Sequence, residues 1–320
     1  MRADRDLLIR VAAIGLHAAQ RIMAFGFPET RSTAKADGSP VTQADLAAHR
    51  TILHYLGKAG WTVVSEEAET PASAPQGPYF LVDPLDGTRE FIAGRPHYTV
   101  NLALIEAGRP TLGVIVVPAQ AAIYLALNPR SPELPRAWRI RLERLERLGG
   151  LEQPEQLEQL ERLEQSLADQ PSTGDGHPTD NTGEQALERW CHALGNATWQ
   201  RIYCAKVSAV HDPSTRAASS WRALASSSHL DARTLEWLAH HRVNATERFG
   251  SALKFCVLAE GGAEVYPRFA PTMEWDTAAG QAIVEAAGGS VCLPDGSTLS
   301  YGKPGWRNGD FIAWGRRNTG

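Results

Sequence analysis

The sequence has little of several features that mark common protein classes. Its four cysteines include no C-x-x-C pair, so neither a disulfide framework nor a cysteine zinc site is indicated. No apolar run is long enough to span a bilayer, and residues 1–6 carry acids and lead into an amphipathic stretch instead of the apolar core of a signal peptide. A net charge of -4 excludes the basic excess of a nucleic-acid-coating protein. We therefore expect a cytoplasmic protein with no integral membrane segment and no nucleic-acid partner, and peripheral association with the inner membrane stays open.

The sequence also lacks the common motifs of covalent catalysis and of glycine-rich, nucleotide-binding loops. The chain has no G-x-S-x-G elbow and no C-x5-R loop, so a serine or cysteine nucleophile is not indicated. Neither a Walker P-loop nor a G-x-G-x-x-G string follows any predicted strand. Because the overall charge is weakly negative, an anionic ligand must be held by local cations or by a metal ion.

The length and the apolar pattern predict two domains. The first, residues 1–215, begins with an amphipathic helix and contains a mostly antiparallel sheet, with a long hairpin from about residue 98 to 127. The second, residues 216–320, alternates strands and helices and indicates a smaller α/β unit. Residues 138–200 contain leucines at a period of three, which wander around a helix and cannot form a seam. We expect this block to be a low-complexity insertion outside the core, partly helical or disordered.

Residues 81–88 place two carboxylates at the end of a predicted buried strand. A proline fixes φ between Asp83 and Asp86, and Gly87 permits a close backbone approach. The two carboxylates and the main-chain carbonyl of Leu85 can then face one point, and such oxygen ligands are those that Mg²⁺ prefers. The alternative is an ordinary solvated turn between a strand and a helix.

Other candidate residues have simple explanations when each is taken alone. Thr42 and Asp45 match a capping box at a helix start. Glu66 follows a short strand, where a solvated edge would explain it, and Asp276 stands at the start of a later helix. Thr88 offers a hydroxyl and an amide to a phosphate oxygen. Acids at the ends of several elements could together hold two or three Mg²⁺ ions, and phosphate-ester hydrolysis is the reaction that most needs them.

Three acidic motifs in this order resemble the inositol monophosphatase superfamily of lithium-sensitive, Mg²⁺-dependent phosphatases. They are Ser65-Glu66-Glu67, Asp83-Pro84-Leu85-Asp86-Gly87-Thr88 and Trp275-Asp276-Thr277-Ala278-Ala279-Gly280. Finer strings are similar to the bacterial 3'(2'),5'-bisphosphate nucleotidase branch (CysQ type), namely residues 38–45, Arg89-Glu90-Phe91-Ile92, residues 250–256 and Tyr266-Pro267-Arg268-Phe269. The likeness covers nearly the whole chain except about 138–200. It implies an α/β (α+β) fold, the layered αβαβα sandwich of the inositol monophosphatase/fructose-1,6-bisphosphatase type.

The resemblance also implies roles for individual residues. The metal ligands for two or three Mg²⁺ ions would be Glu66, Asp83, Asp86, Asp276 and the carbonyl of Leu85. The catalytic residues would be Asp45, Thr88 and Glu66, with Asp45 and Thr88 taking a proton from the attacking water. Substrate contacts would come from Glu66, Leu85, Asp86, Gly87, Thr88, His229, Gly250, Ser251, Lys254, Arg268 and Asp276.

The implied reaction is hydrolysis of the 3'-phosphate of adenosine 3',5'-bisphosphate, a by-product of sulfur assimilation, to AMP and phosphate. Lys254 and Arg268 would meet the second phosphate, although Lys254 could be a solvated helix charge and His229 a polar residue flanking a helix. The chain departs from the family at Ser227, where an arginine is common within Ser-x-Ser-His. Two other functions stay open: an inositol- or sugar-phosphate phosphatase, and a non-catalytic scaffold that uses residues 138–200 as its interaction module.

Overall fold

The computed structural model describes residues 5–25, 32–34, 40–128, 135–143, 182–194, 197–207 and 219–317. In these ranges the helices are α1 (Arg5–Met23), α2 (Gln43–Lys58), α3 (Thr88–Ile92), α4 (Thr182–Ala193), α5 (Ala232–His240), α6 (Leu253–Ala259) and α7 (Ala278–Ala286), and single 3-10 turns occur at Pro118–Gln120 and Pro304–Trp306. The strands are β1 (Ser32–Ala34), β2 (Pro40–Thr42), β3 (Val63–Ser65), β4 (Tyr79–Asp86), β5 (Thr99–Glu106), β6 (Arg109–Val117), β7 (Ala122–Leu127), β8 (Arg136–Arg141), β9 (Thr198–Arg201), β10 (Lys206–Val207), β11 (Ser219–Ser226), β12 (Val243–Phe249), β13 (Val265–Arg268), β14 (Thr272–Met273), β15 (Ser290–Cys292), β16 (Arg307–Asn308), β17 (Phe311–Trp314) and β18 (Arg316–Arg317).

A seven-stranded sheet runs in the order β3-β4-β5-β6-β7-β8-β9. The first pair is parallel and the other neighbours are antiparallel, which confirms the predicted hairpin of β5 and β6. Side chains alternate between two buried faces: Val100 and Leu102 join the core under α1 and α2, while Ala103 and Ile105 join the core under α7. Because both faces are covered, the central strands are apolar along their whole length.

A five-stranded sheet runs in the order β12-β11-β13-β17-β15, with β11 parallel to both of its neighbours. One face packs against α6 and α7 through residues such as Leu224 and Tyr266. The other face packs against α5 through Trp221 and Val265. The layers are therefore α1 with α2, the larger sheet, α6 with α7, the smaller sheet and α5, which confirms the expected αβαβα sandwich.

The flanks of residues 138–200 belong to the core, so the expectation that this whole block lies outside it is wrong at both ends. Strand β8 pairs with β7 on one side and with β9 on the other. Trp138 and Ile140 are buried in the sheet, and α4 buries Leu187 and Trp190 against the cluster under α1. The leucine-rich composition hid these elements, because alternation over six residues is a weak signal beside a long repeat. Residues 144–181, the centre of the block, lie outside the described residues.

Deletion of residues 138–200 is consequently expected to abolish cooperative folding. The deletion removes α4 and most of β8 and β9, and it leaves β7 as an unpaired, apolar sheet edge. Thermal unfolding followed by circular dichroism measures the loss. A shorter deletion of residues 151–170 removes none of the described core contacts and is the control, which should unfold cooperatively. A cooperative transition in the longer deletion variant would show that the flanks are dispensable.

The two-domain division at residue 215 stays a prediction. The boundary falls within residues 208–218, outside the part that the structure describes. Strand β10, just before it, pairs with β18 near the C-terminal end, and α7 from the second half packs on the larger sheet of the first. The two halves therefore share one interior, and a site between the sheets draws residues from both.

Candidate active site

The end of β4 builds the turn that carries the predicted acids. The pairing of β4 with β5 shifts register between Asp83 and Asp86, so the strand bulges there. Gly87 follows at φ 92° and forms the N-cap of α3, which begins at Thr88. A Cβ on Gly87 would lie 2.9 Å from the carbonyl oxygen of His97, so the turn requires a glycine both for its φ and for its packing.

This turn forms part of the wall of a cavity of about 330 Å³. The structure brings together there nearly all of the site residues predicted from sequence, and Asp45 alone among them does not line the cavity. Those that do line it are Glu66, Asp83, Leu85, Asp86, Gly87, Thr88, His229, Gly250, Ser251, Lys254, Arg268 and Asp276.

Three acids converge at one end of the cavity. Carboxylate oxygens of Glu66, Asp83 and Asp276 all lie within 4.8 Å of one another. Burial raises the pKa of Asp83 well above its ordinary value, and the charges of Glu66, Asp86 and Asp276 raise it further. Such a set of hard oxygen donors with unfavourable mutual repulsion fits a divalent cation, which would offset that repulsion.

Asp86 lines the same cavity but is not one of the three mutually close acids. Its Oδ2 accepts hydrogen bonds from the Ala252 amide at 2.7 Å and from Nδ2 of Asn101 at 3.2 Å. Burial and then the charge of Asp276 raise the pKa of Asp86 to about 7, while Lys254 lowers it. The two donors fix the orientation of this carboxylate beside the other acids.

Asp45 reaches the cavity through Thr88. The Thr88 hydroxyl lies 2.9 Å from Oδ1 of Asp45 and 3.1 Å from the carbonyl oxygen of Leu85, and it can donate to either. The amide and the hydroxyl of Thr42 donate to Oδ2 of Asp45 at 2.8 and 2.5 Å, which confirms the predicted capping box. Burial raises the pKa of Asp45 even though these hydrogen bonds act in the opposite direction. One helix start therefore supplies both a cap and a carboxylate with increased proton affinity.

Lys254 is buried, so its interpretation as a solvated helix charge is wrong. Its side chain is only 2% exposed. The ammonium group donates to the carbonyls of Phe249 at 3.2 Å and Ser251 at 2.5 Å, and it lies 5.4 Å from the ring centroid of Tyr266. Lys254 thus fixes the loop between β12 and α6 and places a positive charge near Asp86.

The same loop requires Gly250 at one position. A Cβ there would lie 2.8 Å from the carbonyl oxygen of His97, closer than van der Waals contact allows. Ser251 follows at φ 51°, an unusual conformation for a residue with a side chain. The hydrogen bond from Lys254 to the Ser251 carbonyl stabilises this strained conformation.

Arg268 and His229 line the cavity from the smaller sheet. The Arg268 guanidinium donates to the carbonyls of Ala270 at 3.2 Å and Pro271 at 3.1 Å. The His229 amide donates to Oγ of Ser226 at 3.0 Å, at the end of β11. Burial lowers the pKa of His229, and nearby cations, of which Arg268 has the largest effect, lower it further. A neutral imidazole therefore faces this part of the cavity at neutral pH.

Sequence reasoning did not assign a site role to three charged residues that also line the cavity, Arg89, Glu90 and Arg307. Arg89 and Glu90 follow Thr88 directly, so their presence in the family-like string was an available signal. Arg307 had no local signal, because its place depends on the pairing of β16 with β14, where Arg307 stands opposite Met273.

Comparisons with known proteins show the family of this chain. The model of the Inositol monophosphatase family matches residues 6–148 and 177–316. The layered fold and the acidic cavity thus define the class: the chain belongs to the inositol monophosphatase family.

Individual proteins of this family that are similar to the chain indicate one branch of the family. The chain is 33% identical over 271 residues to the 3'(2'),5'-bisphosphate nucleotidase CysQ of Salmonella typhimurium, which covers 83% of this chain and 81% of that protein. The Escherichia coli protein of the same name is 32% identical over the same length. The crystal structure of CysQ from Bacteroides thetaiotaomicron, a bacterial member of the inositol monophosphatase family, superposes with a TM-score of 0.65 at 30% identity and covers 97% of each chain.

Proposed function

We propose that this protein is a Mg²⁺-dependent phosphatase that removes the 3'-phosphate of adenosine 3',5'-bisphosphate and gives AMP and phosphate. The observation that carries the proposal is the convergence of Glu66, Asp83 and Asp276 within 4.8 Å at the end of the cavity that also holds Thr88. The names of the similar proteins support the nucleotide as substrate.

The donor set fits the metal that the family uses. Glu66, Asp83 and Asp276, with Asp86 and the Leu85 carbonyl beside them, would hold two or three Mg²⁺ ions. Bound Mg²⁺ would offset the negative charge of the phosphoryl group and lower the pKa of the attacking water.

Thr88 and Asp45 supply the proton transfer in this proposal. When the Thr88 hydroxyl donates to Oδ1 of Asp45, its own oxygen is free to accept a proton from the water. The water oxygen forms a bond to phosphorus while the ester P–O bond breaks, and the 3' oxygen of the nucleotide takes up a proton from solvent. Asp45 holds the proton that Thr88 passes on, and its raised pKa favours that transfer.

The rest of the substrate would lie along the smaller sheet. Gly87 and Thr88 amides would meet the scissile phosphate, while His229 and the loop of Gly250 and Ser251 would meet the nucleoside. In this proposal Arg268 and Lys254 face the second phosphate, although each already donates to two main-chain carbonyls. Because Arg268 has five N–H donors and Lys254 three, each keeps at least one donor for the phosphate in addition to its charge.

A steady-state assay distinguishes the candidate substrates. We expect kcat/KM for adenosine 3',5'-bisphosphate to exceed that for inositol 1-phosphate by at least about tenfold, because the cations near His229 match a second phosphate. Turnover should require Mg²⁺ and should be inhibited by lithium, as the family resemblance implies. The opposite preference by tenfold would favour an inositol- or sugar-phosphate phosphatase. No Mg²⁺-dependent turnover of either compound would favour a non-catalytic protein.

We also propose the cytoplasm as the compartment. All four cysteines, Cys191, Cys204, Cys256 and Cys292, are free thiols, as a reducing environment favours. In the ranges that the structure describes, no helix is both long and apolar enough to cross a membrane.

A further inference from the structure

Glu90, to which the proposed reaction assigns no role, connects two walls of the cavity. It lies on α3, two residues after Thr88, and is only 5% exposed. Its Oε1 accepts hydrogen bonds from the hydroxyl of Ser227 at 3.3 Å and from the hydroxyl of Ser228. Both serines follow β11 and precede His229. The helix that carries the Thr88 hydroxyl is therefore bonded directly to the loop that carries His229.

The partners of this carboxylate are neutral. Among the residues that the structure describes, no lysine or arginine forms an ion pair with Glu90. A buried carboxylate needs hydrogen-bond donors, and here two short serine side chains supply them. Because a serine hydroxyl reaches only a short distance, the loop must stay close to α3 for these bonds to form. Their geometry consequently fixes the loop more tightly than a long, flexible side chain would.

Glu90 also contacts the third element of this wall. A Cβ on Gly250 would lie 3.0 Å from Cγ of Glu90, so the loop after β12 packs closely on the glutamate side chain. The Ser227 amide donates to the carbonyl of Phe249 at 3.0 Å and joins the two loops to each other. Glu90 thus stands where α3, the loop of residues 226–229 and the loop of residues 249–251 meet.

We propose that Glu90 is a positioning residue that sets the distance between the phosphate end of the cavity and the residues that hold the rest of the substrate. The inference rests on the proposed function and adds a determinant of substrate selection to it. Glu90 acts through Ser228 and His229, both of which line the cavity. Loss of its carboxylate should weaken binding of a substrate that reaches this loop, and it should spare a small phosphate ester that occupies only the acidic end.

The test compares two substrates in two variants of Glu90. For Glu90→Ala we expect KM for adenosine 3',5'-bisphosphate to rise about tenfold, the size of one lost hydrogen bond to a charged group, with kcat changed by less than about twofold. KM for p-nitrophenyl phosphate should not change. Glu90→Gln keeps an acceptor oxygen for both hydroxyls. Its KM for the nucleotide should therefore be close to that of the wild-type protein. Ser228→Ala removes one donor and should shift KM in the same direction as Glu90→Ala.

Glu285→Gln is the matched control, because Glu285 is another partly buried carboxylate but pairs with Arg109 and does not line the cavity. It should leave both KM values unchanged. Equal losses on both substrates together with a lower melting temperature would show a merely structural role and overturn the proposal. So would an unchanged KM for the nucleotide in Glu90→Ala, or in Ser228→Ala if the alanine variant of Glu90 does not fold. Absence of nucleotide turnover in the wild-type protein would instead refute the proposed function, and this inference with it.

Discussion

Replacement of Asp83 by asparagine is expected to lower kcat/KM for the nucleotide by about 1,000-fold or more, equivalent to about 4 kcal/mol of transition-state stabilisation. Asp83 is one of the three close carboxylates, together with Glu66 and Asp276. The asparagine keeps the size of the side chain and an oxygen that can accept the hydrogen bond from the Leu85 amide, which is 3.1 Å long in the wild-type protein. The change therefore removes one negative charge with little change of shape, and a steady-state assay measures its effect.

The same variant should retain its fold and lose its response to Mg²⁺. Because burial and neighbouring charges raise the pKa of Asp83 in the folded protein, ionisation of Asp83 destabilises the metal-free fold at neutral pH. Asp83→Asn should accordingly unfold at the same temperature as the wild-type protein in EDTA, or at a higher one. Mg²⁺ should raise the melting temperature of the wild-type protein by preferential binding to the folded state, and it should raise that of the variant far less.

Asp295→Asn is the control for this prediction. It makes the same chemical change in an exposed turn, where Asp295 accepts hydrogen bonds from Ser297 and does not line the cavity. Activity and the Mg²⁺ response should both match those of the wild-type protein. If Asp83→Asn retained more than about a tenth of the wild-type kcat/KM with a normal Mg²⁺ response, the carboxylates of the group would not be the metal ligands.

The acidic end of the cavity could be predicted from sequence because its residues stand at the ends of predicted elements. Asp83 and Asp86 are fixed by a local turn, and Glu66 follows the strand parallel to theirs, so only one strand pairing had to be assumed for these three. Asp276 precedes α7 in the other half of the chain, so its place beside them depends on long-range packing. The place of Asp45 in the site is harder to predict from the sequence. Its capping box is a local feature, but its contact with Thr88 joins residues 43 positions apart. Only the family resemblance related the two residues before the structure did.

Other features depend on packing that the sequence does not show. An acid in the first turn of a helix is ordinary, so Glu90 gave no sign that it would be buried against serines of the smaller sheet. Lys254 on a short helix is usual for a solvated surface, yet its charge is satisfied by carbonyls of a strained loop. The partners of Glu90 come from the other half of the chain. Those of Lys254 lie only three and five residues before it, and it is the strained conformation of the loop between β12 and α6 that turns their carbonyls toward the ammonium group.

Replacement of Asp45 by asparagine is expected to lower kcat by about 10²–10⁴-fold, the usual contribution of a general base. The amide cannot take the proton that Thr88 would pass on from the attacking water, although it can still accept a hydrogen bond from that hydroxyl. Thr88→Val removes the hydroxyl itself and should cause a loss of similar size. Because the two residues act in one proton transfer, the double variant should be little worse than either single variant. Thr88→Ser keeps the hydroxyl and should retain most of the activity.

The response to Mg²⁺ separates this loss from that of Asp83→Asn. Asp45 does not line the cavity, and its carboxylate is occupied by Thr42 and Thr88. Asp45→Asn should therefore keep the rise in melting temperature that Mg²⁺ causes in the wild-type protein, while its turnover falls. A loss of that rise would place Asp45 among the metal ligands. Independent, multiplicative losses in Asp45→Asn and Thr88→Val would show that the two residues do not share one proton transfer. An unchanged kcat in Asp45→Asn would show that Asp45 serves only to cap α2.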